Sequence, residues 1–95
     1  MKERVLSADI LDDFKKYLIL QEKSSATVQK YIHDVSAFAN FVNGESITKE
    51  TVIAYKNHLK ENYAVRSVNS VLASINGLFS FLVFLYLQHN IDFVV

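Results

Sequence analysis

Residues 24–42, SSATVQKYIHDVSAFANFV, constrain the fold more than any other stretch of this chain. Val28, Tyr31, Ile32, Val35, Phe38, Ala39 and Val42 recur at steps of three and four, so a helix gathers them into one apolar stripe. A stripe of that length must be covered, and the rest of the chain has to supply the cover. Ser24, Ser25 and Thr27 stand ahead of it, hydroxyl residues suited to accept from the first unpaired backbone N–H groups. The same helix start, with Lys23 and Lys30 near it, also has the make-up of a phosphate seat.

The covering helices are legible in the same way. A first helix is expected from a Ser7 cap to about Glu22, with Leu6 and Leu11 at staple spacing, Asp9 in the first turn, and Ile10, Leu11, Phe14, Tyr17 and Leu18 turned inward. The second helix should stop near Asn43, with Gly44 just past its end. Thr48 is the expected cap of a third, with Ile47 and Val52 as its staple and Glu50 in its first turn. Val52, Tyr55 and Leu59 face inward there, and residues 63–66 make the connection onward. A fourth and longest helix begins near Ser67 and carries Val68, Val71, Leu72, Ile75, Leu78, Phe79, Leu82, Leu85 and Tyr86 in its stripe. Gly77 inside it predicts a close helix crossing, because glycine otherwise costs up to about 1 kcal/mol relative to alanine. With no proline and no alternating apolar pattern, the sequence predicts an all-α, compact four-helix bundle, helices about 8–22, 26–43, 49–61 and 67–88. Ninety-five residues suit a single domain, 1–95.

Charge is uninformative as a total: ten Lys and Arg balance ten Asp and Glu. Local clustering therefore has to decide whether a polyanion can bind. Without cysteine there is no disulfide framework and no thiolate metal site, and the N-terminus has no apolar run of the signal-peptide kind, so a cytoplasmic protein is expected. Residues 78–87, LFSFLVFLYL, are apolar on nearly every side, with Phe81, Val83, Phe84 and Leu87 off the main stripe. That run is too short to span a bilayer and reads as a buried helix end. Its expected cover is the tail 90–95, folding Ile91, Phe93, Val94 and Val95 back over it; the other reading is a partner surface. His33, His58 and His89 are too far apart in sequence to suggest a metal site, and the adjacent Asp12 and Asp13 point in different directions on a helix. No cofactor is expected.

Ser25, Thr27, Tyr31, Asp34, Phe38 and Phe41 resemble the S-x-T-x-x-x-Y-x-x-D-x-x-x-F-x-x-F signature of the tyrosine recombinases, or phage integrases. The resemblance continues through Ile47, Thr48, Val52 and Tyr55, then Ser67, Val68, Asn69 and Leu72, then Ile75, Phe79, Phe81 and Leu82, and covers about residues 10–87. Together these are similar to that family's N-terminal core-binding, SAM-like domain. The resemblance implies a domain that grips double-stranded DNA together with a separate C-terminal catalytic domain, which closes on the other side of the duplex and carries the nucleophilic tyrosine. Tyr17, Tyr31, Tyr55, Tyr63 and Tyr86 match no such motif, so this chain is expected to bind and not to cleave. Within the family, DNA meets the starts of the second and fourth helices, which implies Ser24, Ser25, Thr27 and Lys30, and Arg66, Ser67, Asn69 and Ser70, as DNA-binding residues here. Hydroxyls and Lys or Arg position phosphates, and Asn69 is the one suited to a base edge. Lys23 and Lys60 are expected at the rim. The implied partners are duplex DNA, the catalytic domain of the same parent protein and other recombinase protomers, with no membrane. The alternative function is a helical protein–protein interaction module that docks through the apolar end of the fourth helix.

Overall fold

The computed structural model describes the backbone of residues 8–94 and the side chains of residues 8–87. Helix follows helix: α1 Ala8–Leu20, α2 Ser25–Val42, α3 Lys49–Asn62 and α4 Val65–Val94. No strand occurs among the described residues. The expected Ser7 cap and Leu6 staple lie outside them.

Caps set the boundaries. Helix α1 ends at Leu20, short of the expected Glu22, because Glu22 itself turns left-handed at φ 59°. The Glu22 N–H then closes on the Ile19 carbonyl at 2.9 Å and the Lys23 N–H on Leu18 at 3.2 Å, the paired bonds of a Schellman ending. Ser24 caps α2 as expected, its Oγ accepting from the Thr27 N–H at 3.1 Å. Asn43 (φ 53°) ends that helix, and Gly44 follows at φ 82°. Thr48 caps α3, its Oγ1 accepting from the Thr51 N–H at 3.1 Å.

Both ends of α4 differ from expectation. The Ala64 carbonyl accepts the Val68 N–H at 3.0 Å, so Val65, Arg66 and Ser67 form the first turn and the helix starts two residues before the expected Ser67. The connection from α3 shrinks to Tyr63 and Ala64. At the other end the helix runs on to Val94, so the tail prolongs α4 and does not fold back over it. No glycine or proline stands between residues 78 and 94 to interrupt the ladder of backbone bonds. Thirty residues at about 1.5 Å rise make a rod of roughly 45 Å, which accounts for the 47 Å long dimension of the molecule.

The core lies where α2 and α4 cross, with α1 and α3 closing the sides. Phe14, Leu18, Val28, Val35, Phe38, Val42, Tyr55, Leu59, Val68, Ile75, Leu78 and Phe81 are buried in one cluster. Burying each large apolar side chain is worth about 1.5–3 kcal/mol, so this cluster is the principal stabilising feature. Gly77 sits at the crossing: a Cβ there would lie 2.9 Å from Tyr31 Cε2. Phe81, read from sequence as lying off the stripe, is core, its ring 5.5 Å from Phe14 and 4.9 Å from Tyr17. Leu85 and Tyr86, read as inward, are exposed together with Val83, Phe84 and Leu87, because α4 outruns the helices that would cover them.

The continuous α4 also changes the membrane argument. Over Val65–Leu87 it is long and apolar enough to cross a bilayer, so the shortness of the apolar run no longer excludes a span. One face of it, with Val68, Ser74, Ile75, Leu78 and Phe81, is buried against the other helices, while most of that stretch is not buried.

Candidate functional site

Helix α2, helix α3 and the start of α4 leave a groove of about 770 Å³ between them. Lys30, His33 and Asn40 line it from α2, Tyr55 and His58 from α3, Tyr63 from the connection, and Arg66, Ser67 and Ser70 from the first turns of α4. The periodicity of α2 explains its wall, since Lys30, Asp34, Ala37 and Phe41 follow at steps of three and four and share one side, with His33 next to Asp34. That side adjoins the apolar stripe, so the groove floor is core and its rim is polar. Residues along α2 and from the start of α4, far apart in sequence, thus line one concave surface.

Asp34 ties the floor together. It is 7% exposed, and its Oδ2 accepts from the Ser74 hydroxyl of α4 at 2.7 Å and from the Lys30 ammonium one turn back. A buried carboxylate needs such partners, because an unpaired charge away from water costs several kcal/mol. Lys30 is therefore held at the mouth of the groove with its charge balanced, while Arg66 makes no ion pair among the described residues. Beside them, burial pushes the Tyr55 phenol above the usual tyrosine range, and negative charge at Asp34 and Tyr63 pushes it the same way. The Tyr55 ring is wedged 5.0 Å from Phe38 and 4.9 Å from Phe41, and Phe41 in turn lies 5.3 Å from His58.

Of the residues named from sequence, Lys30, Arg66, Ser67 and Ser70 line this groove. Ser24, Ser25 and Thr27 do not; the Ser24 hydroxyl donates to Thr27 Oγ1 at 2.9 Å, so those two are engaged with each other at the tip of α2. Asn69 lines a neighbouring hollow of about 350 Å³ with Lys56, Lys60 and Val65, and Tyr63 borders both hollows. Sequence reasoning missed Lys56, Tyr63, His33 and His58. The step of three from Lys30 to His33 was a usable signal, whereas His58 and Tyr63 are placed only by how α3 packs. Among the described residues Asp34 is the only carboxylate lining the groove, and it is neutralised from within the fold. No group of His, Cys, Asp and Glu among them is placed to hold a metal ion. Such a surface can position an anion through hydroxyls, an unpaired guanidinium and a paired ammonium.

Residues 11–84 match the family model for the phage integrase N-terminal SAM-like domain. The chain is similar to tyrosine recombinase XerA of Pyrococcus horikoshii, at 36% identity over 85% of the chain and 29% of the relative. It is also similar to tyrosine recombinase XerA of Pyrococcus furiosus, at 30% identity over 85% of the chain and 28% of the relative. The chain thus spans less than a third of the length of these curated relatives. No solved structure is a significant match.

Proposed function

This chain belongs to the phage integrase N-terminal SAM-like family of the tyrosine recombinases, and from that premise we propose that it grips duplex DNA at a recombination core site through the groove. The observation that carries the proposal is the convergence of Lys30 with Arg66, Ser67 and Ser70 on one concave surface whose single carboxylate is already paired. Phosphates sit against the hydroxyls and the Arg66 guanidinium, while Asn69, Lys56 and Lys60 of the adjoining hollow extend the contact along the strand. Ser24, Ser25 and Thr27 offer a further phosphate position at the tip of α2, beside the Thr27 N–H that the Ser24 hydroxyl caps. In this reading the domain binds and orients DNA in the cytoplasm, and bond breaking belongs to a catalytic domain outside residues 1–95. With few cations presented, binding by this domain alone is weak and falls steeply with salt.

The test is a salt titration of duplex binding followed by backbone amide shifts. The expected result is shifts at residues 23–31 and 66–70 that fade as salt rises. Amides that stay still at low salt in the folded domain would remove DNA binding from its functions.

One observation favours a second reading. Val83, Phe84, Leu85, Tyr86 and Leu87 are all exposed, a run of apolar surface at the far end of α4. A surface of that kind suits a protein partner, either the parent's catalytic domain or another recombinase protomer. Association there would be insensitive to salt, which separates it from binding in the groove.

A further inference from the structure

We propose that His33 and His58 are two further phosphate contacts of the groove, and that their protonated forms supply the positive charge its fixed cations lack. The inference rests on the duplex-binding reading above. The charged and titratable residues that line the groove are Lys30, His33, Asp34, Tyr55, His58, Tyr63 and Arg66. Lys30 and Asp34 cancel as a pair, and a phenol carries no charge near neutral pH, which leaves Arg66 as the unpaired fixed cation. One such cation is sparse against a duplex that carries a negative charge about every 1.7 Å. Imidazole is the side chain whose ordinary titration falls between about pH 5 and 8, so the two histidines are the lining groups able to raise the charge of this surface.

The two rings come from facing walls. His33 is exposed on α2 one turn from Lys30 and makes no hydrogen bond or ion pair among the described residues. His58, on α3, is held by its ring contact with Phe41, and the Asn62 amide lies 3.5 Å from its Nδ1 while donating to its carbonyl at 2.8 Å. Phosphates in the groove favour the protonated form of both rings, so binding takes up protons, and affinity rises as pH falls from 8 toward 5.5.

The experiment is fluorescence anisotropy with a labelled short duplex at pH 8 and pH 5.5, each over a salt series, on the wild type, His33→Gln, His58→Gln and the double variant. Far-ultraviolet circular dichroism checks that each is folded. The expected result is a log–log salt slope steeper at pH 5.5 by about one for each histidine present, and affinity in the double variant that is the same at both pH values. His33→Gln carries the test alone if losing the His58–Phe41 contact unsettles α3, since position 33 is exposed. Wild-type affinity that is indifferent to pH, or a pH dependence that survives in the double variant, overturns the histidine contacts while leaving groove binding intact. No binding by the wild type at either pH in low salt overturns the duplex-binding reading itself.

Discussion

Asp34 has a buried carboxylate, and the structure gives it two jobs at once. Its Oδ2 accepts from Ser74 across the α2–α4 crossing and from Lys30 on its own helix, so the residue both pins two helices and steers a cation toward the groove. The family signature marks the position, but only the fold shows what the carboxylate touches. Tyr55, next to it, permits a pH prediction. Its phenol is raised above the ordinary value of 10.0 by burial first and by Asp34 and Tyr63 after that. A raised folded-state value means stability is complete below pH 10 and is lost as pH climbs beyond it, because the unfolded chain releases the proton more readily. Urea midpoints measured from pH 8 to pH 11 should fall at the alkaline end, and Tyr55→Phe should flatten that fall. An equally steep fall in the variant would assign it to other groups.

At the scale of elements, α4 is the helix whose sequence and behaviour diverge most. Gly77 predicts a close crossing, and the Tyr31 ring, 2.9 Å from where a Cβ at Gly77 would stand, bears it out. Gly77→Ala gains about 1 kcal/mol of helix propensity but forces the Tyr31 ring away from its place between α2 and α4, a strain of about 1–3 kcal/mol. The expected net is a loss of about 1 kcal/mol in a urea unfolding experiment; a more stable variant would show that the ring moves freely. The caps behave differently from the crossing. Ser24 and Thr48 were readable because a side-chain oxygen and an N–H three residues on are fixed by local geometry. The start of α4 is less legible, because Ala64, with no side-chain cap to offer, begins it through its carbonyl.

For the molecule as a whole, two surfaces on different parts of α4 propose two partners, and substitutions separate them. Arg66→Ala should weaken duplex binding uniformly across DNA sequences and lower the salt slope by about one. Replacing Phe84 and Leu87, 43% and 53% exposed, with serine should leave DNA affinity nearly unchanged and cost about 1–2 kcal/mol of stability, because the Phe84 ring lies 5.5 Å from Tyr17. The same pair should abolish any salt-insensitive association seen by analytical ultracentrifugation. Loss of DNA affinity in the serine pair, or none in Arg66→Ala, would move the DNA-binding surface away from the groove.

The sequence by itself determined the four helices, the face that α1, α2 and α3 bury and the family, since backbone hydrogen bonds four residues apart and a repeating apolar step are local properties. It also determined that residues 78–87 are apolar in excess of what the stripe needs. Only the tertiary structure decided which candidate residues share a surface. Lys30 lines one groove with Arg66, Ser67 and Ser70 because α2 and α4 pack together, while Ser24, Ser25 and Thr27 stay at the tip of α2 and Asn69 lines the next hollow. It decided too that Phe81 is core and that Phe84 to Leu87 are not, because burial depends on where α1 ends beside α4. The pattern that marks a helix is written within a few turns of chain, whereas a groove or an uncovered helix end exists only once separate helices have packed.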